Sequence, residues 1–195
     1  MLRPLSYLKA VVICHGKSEK QMCEFLKSNL RIRIAIESDK KGEKSIQITS
    51  VMKMLNGRKF KTLQSFMQTF DDVESFSPKR LSDDFKIFII MDTDDCSDLQ
   101  KKDFKSKEMF KKHWAYQYIV PIYNDPELES VLVKSNIKFE KKGDERKKEY
   151  IKIFPTDIKY IKNEMVQIED FYKNLKKNKN TNLDVFIEFC LRIAD

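Results

Sequence analysis

Asp92 and Asp94 follow directly on residues 85–91, Phe-Lys-Ile-Phe-Ile-Ile-Met, the most apolar β-like run in the chain. Carboxylates leaving a strand end two residues apart can point at one centre, where unneutralised like charges repel. A divalent cation removes that conflict, and oxygen-only donors suit Mg²⁺ or Mn²⁺. We therefore expect Asp92 and Asp94 to be metal ligands. The plainer reading of Asp92-Thr93-Asp94-Asp95 is an acidic loop, with Asp95 or Ser97 capping the helix that follows.

Two further polar clusters end apolar runs in the same way. His15-Gly16-Lys17-Ser18-Glu19 closes residues 8–14, Leu-Lys-Ala-Val-Val-Ile-Cys. A glycine turn at a helix start can seat a phosphate on backbone N–H groups, with Lys17 adding charge. The spacing is not that of a Walker A loop. His15 stands at the strand end, aimed at any crevice there. The plain reading of Glu19 is an acid favouring the first turn of a helix. Asn124-Asp125-Pro126-Glu127-Leu128-Glu129 follows a third apolar run, and only one of Glu127 and Glu129 can readily face the crevice.

The elements that must position these residues alternate. Strands are expected at 8–14, 31–37, 85–91 and 118–123, the third central and the last, with Pro121, at an edge or a strand end. Helices are expected at 19–30, capped by Ser18, and at 46–55, 63–73, 98–114 and 127–133. His113 and Trp114 read as packing or solvent-facing residues. Strand–helix alternation implies a doubly wound α/β fold with a mainly parallel sheet, whose ligands sit beyond the carboxyl ends of the strands. From residue 138 the chain turns rich in Lys, Glu and Asn, with helices expected at 144–154, 157–175 and 182–193. The expected division is an α/β domain over 1–137 and a basic helical extension over 138–195, packed on it.

At 195 residues with 41% hydrophobic content the chain can bury a core without staples. Cys14, Cys23, Cys96 and Cys190 are scattered, with no metal-like spacing, and reduced thiols are expected. Residues 2–10 carry Arg3, Pro4 and Lys9 and do not read as a signal peptide, and no apolar stretch is long enough to span a membrane. A cytoplasmic location is the expectation. The net charge of +8 is compatible with a polyanionic partner.

Taken in order, the three clusters resemble the Toprim fold, and more narrowly the RloB-like and abortive-infection-type Toprim proteins. Those have a strand ending in Glu-Gly-x-Thr/Ser-Glu, a central strand ending in Asp-x-Asp, and a later Asn-Pro-x-x-Glu. The resemblance covers roughly residues 8–135. It departs at one position, where His15 stands in place of a glutamate that serves as general acid/base or metal ligand. A histidine transfers protons but supplies no negative charge to Mg²⁺. The resemblance implies a metal-dependent phosphodiester nuclease acting on RNA or DNA, in phage defence or mobile-element biology. Asp92 and Asp94 would hold Mg²⁺ or Mn²⁺, Glu129 or Glu19 would complete the shell, His15 would carry a proton and Lys17 would contact a phosphate. A separate ATPase partner and an oligomer are compatible with it. The alternative is a catalytically inactive Toprim-like module that binds nucleic acid, a nucleotide or a protein.

Overall fold

Strand β1 (Ala10–Cys14) is buried at every position, as a β-branched run between two sheet neighbours must be. It belongs to a computed structural model that describes residues 7–77, 79–136 and 164–194. From β1 the chain passes through α1 (Lys17–Asn29), β2 (Ile34–Glu37), α2 (Ile48–Leu55) and α3 (Leu63–Thr69). A small antiparallel pair follows, β3 (Ser75–Ser77) with β4 (Arg80–Leu81). Then come β5 (Lys86–Asp92), α4 (Asp98–Lys105), β6 (Ile119–Asn124), α5 (Leu128–Lys134), α6 (Glu164–Leu175) and α7 (Leu183–Arg192).

The main sheet has the order β2-β1-β5-β6, with every pairing parallel. The chain first winds outward from β1 to β2, then crosses back to β5 on the other side of β1. The order of winding therefore reverses between β1 and β5, and the crevice of such a sheet opens at that reversal. The last pair between the two strands is Cys14 with Ile90, so His15 and Asp92 leave neighbouring strands within two residues of it.

The pleat sorts side chains between two cores. Ala10, Val12, Cys14, Phe88 and Ile90 face α1, α5, α6 and α7, while Val11, Ile13, Ile87, Ile89 and Met91 face α2, α3 and α4. Phe88 packs against Phe186 and Phe189 at ring-centroid distances of 5.0 and 4.9 Å. Truncating such a ring to alanine costs about 3–5 kcal/mol in comparable cores. The carboxyl-terminal helices thus share one core with β1 and β5. They also finish the sheet edge. The Asn182 side chain accepts from Tyr123 N at 2.9 Å and donates to the Pro121 carbonyl at 3.0 Å. Pro121 therefore lies on an edge strand, with its outward edge covered by a side chain from the tail.

Several expected boundaries move. Helix α1 begins two residues earlier, with Gly16 and not Ser18 at its N-cap. The helix expected over 98–114 stops at Lys105, because Lys107 adopts a left-handed φ of 70°; short 3₁₀ turns at Glu108–Phe110 and Trp114–Gln117 carry the rest. Its capping residue is Ser97, which accepts from Gln100 N. His113 and Trp114 both pack, bonding the carbonyls of Leu55 and Phe60. The helix expected at 144–154, and the start of the one at 157–175, lie outside the described residues. All four cysteines are free thiols. No helix among the described residues is long and apolar enough to cross a membrane.

Candidate functional site

Asp92 is the last residue of β5 and shares the pleat phase of Phe88 and Ile90, so its side chain turns toward α1 and α5. It is 6% exposed. One carboxylate oxygen, Oδ1, accepts from Asn124 Nδ2 at 3.1 Å and from Leu128 N at 3.0 Å. Asp92 thereby satisfies a backbone donor at the start of α5 and ties the end of β5 to that of β6.

Glu19 lies in the first turn of α1 and is 2% exposed. Its Oε2 accepts from Gly16 N at 2.8 Å, closing the turn that leaves β1. Glu129, in the first turn of α5, is half-buried and accepts from Ser18 Oγ at 3.2 Å. The starts of two helices, 111 residues apart in sequence, therefore meet over Asp92.

The electrostatics match this crowding. Burial pushes the Glu19 carboxyl up to about 7, with Glu129 adding to the rise and backbone N–H groups opposing it. Burial, and then the charge of Glu19, raise Asp92 to about 8, against the pull of His15 and Asn124. Three acids from three separate stretches of chain thus sit within electrostatic reach of one another.

His15 occupies the opposite pleat phase, on the side of α2 and α4. Its backbone is fixed between Ile90 O and Ile46 N, at 2.9 and 2.7 Å. Its Nδ1 is buried without a hydrogen-bond partner, as is Asp95 Oδ1. The His15 ring acts on both Asp92 and Asp95. Burial raises the Asp95 carboxyl, with His15 opposing and Asp94 adding to the rise.

The structure therefore brings His15, Glu19, Asp92 and Glu129 into one crevice at the β1–β5 reversal. Asp94 instead lies exposed on its rim, and Lys17 is exposed on the first turn of α1. The inward neighbour of His15 is Asp95, because the strand ends at Asp92 and the turn carries Asp94 outward before Asp95 returns. Alternation along a strand does not extend into a turn, so counting by twos does not carry the inward phase from Asp92 to Asp94. Asn124, fully buried between Asp92 and Thr181, escapes the sequence reading too. Its place at the end of an apolar strand is the signal that could have found it.

Ionised carboxylates are hard oxygen donors, and their chemistry fits Mg²⁺ or Mn²⁺. Glu19, Asp92 and Glu129 are the residues that would hold such an ion. Among the described residues no group of three or more His, Cys, Asp or Glu is already arranged around a metal centre. No family model matches the chain, and neither a curated protein nor a solved structure matches it, which leaves this crevice to be read from its own geometry.

Proposed function

We propose that the crevice between β1 and β5 is a divalent-cation-dependent phosphodiesterase site that acts on RNA or DNA. The observation that carries this reading is the meeting of Glu19, Asp92 and Glu129 at the reversal point, where burial and mutual repulsion raise Glu19 and Asp92 and His15 offsets only part of the rise in Asp92. A divalent ion bound there would neutralise the acids and the charge on a bound phosphate. The chain's own groups divide the rest of the work. Hydrolysis needs one group to take the proton of the attacking water and another to return a proton to the leaving oxygen. Glu19 can do either where Asp92 and Glu129 hold the ion. His15, with its buried unpartnered Nδ1, is the second proton carrier. Lys17, exposed on the first turn of α1, would meet a phosphate oxygen.

A second reading has its own observation. Asp92 Oδ1 is already committed to Asn124 and to the start of α5, which suits a structural carboxylate in a non-catalytic nucleic-acid- or nucleotide-binding module. Incubating the protein with tRNA, single-stranded DNA and plasmid in Mg²⁺, Mn²⁺ or EDTA separates the two. Cutting that needs metal and disappears in Glu19→Gln supports the enzyme. Binding of the same substrates without cutting in any metal supports the module.

A further inference from the structure

A cavity of about 590 Å³ opens beside this crevice, at the carboxyl end of β2 and against the carboxyl-terminal half of α2 and the turn that follows it. It falls within the range of about 300–1,000 Å³ that encloses small ligands and cofactors. Its inner wall is the loop 38–47, which leans on the turn after β1. Ile46 N bonds the His15 carbonyl at 2.7 Å, and a Cβ placed on Gly16 would lie 3.6 Å from Ser45 Oγ. Gly42 brings that loop close. With φ at +91°, its own missing Cβ would stand 3.1 Å from the Lys17 Cα.

The lining combines three chemistries. Its apolar part is made by Ile46, Met54 and Phe60. Ser38, Ser45 and Gln47 add hydroxyl and amide groups able both to donate and to accept. Around it stand four cations, Lys44, Lys53, Arg58 and Lys59, against two carboxylates, Glu37 and Asp39. Lys59 is held by Glu37 at 2.7 Å, and Lys44 reaches Asp39 only at 3.9 Å. Lys53 and Arg58 make no ion pair or hydrogen bond within the described residues, so two full positive charges face the opening uncommitted.

We infer that this cavity is a binding site for a nucleoside phosphate, with the base against Ile46 and Met54 and the phosphate between Lys53 and Arg58. An apolar floor with mixed donors and acceptors suits a heteroaromatic base and sugar. A guanidinium beside an ammonium suits phosphate oxygens. Glu37, at the end of β2, offers an acceptor to sugar hydroxyls. The same chemistry could belong to a free nucleotide or to one unit of a nucleic-acid strand. The inference needs no metal and stands apart from the phosphodiesterase reading.

The test is calorimetric titration in EDTA, which keeps the outcome independent of any cation in the neighbouring crevice. The titrants are ADP, GDP, CDP and UDP, a short single-stranded oligonucleotide, and inorganic pyrophosphate. Two variants accompany the wild type. The double variant Lys53→Glu/Arg58→Glu reverses the free charges on exposed side chains, and Ser45→Trp fills volume without changing charge. Binding of a nucleoside diphosphate or of the oligonucleotide, weakened about tenfold or more in both variants, is the expected result. Binding of the diphosphate assigns a free nucleotide, and binding of the oligonucleotide alone assigns a strand. No binding of either titrant overturns the inference, as does affinity unchanged in either variant. Pyrophosphate binding as tightly as the best nucleotide also overturns it, because the cavity would then be a simple anion patch.

Discussion

Asp92 and Asp125 stand one residue apart in register at the ends of β5 and β6, yet their surroundings differ in sign. Asp125 is bonded by Lys101 at 3.0 Å and Lys105 at 3.1 Å, and these contacts hold its carboxyl below the usual range despite some burial. Asp92 is buried among acids, and its protonation range rises to about 8. One aspartate has found its counter-charges within the chain. The other has found hydrogen-bond donors for one oxygen, a partial counter-charge in His15 and repulsion from Glu19 and Glu129. Under the proposed function, the second strand end is where a cation from outside would bind.

The largest effect expected from breaking this contrast is structural. Asp92→Ala leaves Asn124 Nδ2 and Leu128 N without an acceptor in a buried site, at about 1–3 kcal/mol for each orphaned donor. Asp92→Asn keeps an acceptor oxygen and removes the repulsion, so chemical denaturation should find it far less destabilised than Asp92→Ala. Equal losses for the two would mean that hydrogen bonding is not what Asp92 supplies to the fold.

Proton linkage comes next. Asp92 and Glu19 have folded-state values of about 8 and about 7, above the unfolded values of about 4. The native chain therefore binds more protons than the unfolded chain between those limits. Their contribution is most favourable below about pH 4 and is lost as pH rises toward 8. Melting temperatures measured in EDTA should fall between pH 5 and pH 8, and Asp92→Asn/Glu19→Gln should flatten that fall. A profile of the same slope in the double variant would remove the buried acids as its cause. Asp125 has the opposite sign, since its depressed value adds stability above about pH 4 that is lost on acidification.

The smallest effect belongs to the satisfied aspartate. Lys101→Ala or Lys105→Ala removes one of two partly exposed contacts and should cost less than about 1 kcal/mol in denaturant titrations. A loss several times larger would show that Asp125 depends on both lysines and is less secure than its geometry implies.

The strands were legible because apolar β-branched runs end abruptly in polar clusters, and a run as apolar as 85–91 belongs inside a sheet. Convergence of the clusters at His15, Glu19, Asp92 and Glu129 follows from topology, which strand–helix alternation suggested. Less accessible were features set by tertiary contacts. Gly16 takes the cap that Ser18 was expected to take, because Glu19 reaches back to its N–H and frees the serine to meet Glu129. The hairpin of β3 and β4 is too short to leave a periodic signal. Asn182 finishing the edge of β6 is a contact across 59 residues that no local pattern announces.

Calorimetric titration of Mn²⁺ into the wild-type protein and into Glu19→Gln/Asp92→Asn, at pH 8, tests the central claim most directly. The account predicts a saturable site in the wild type and an affinity at least about tenfold weaker in the variant, with the variant still folded by circular dichroism. Equal Mn²⁺ affinity in the two proteins, or no saturable binding to the wild type, would contradict it and leave the three acids as parts of the fold alone.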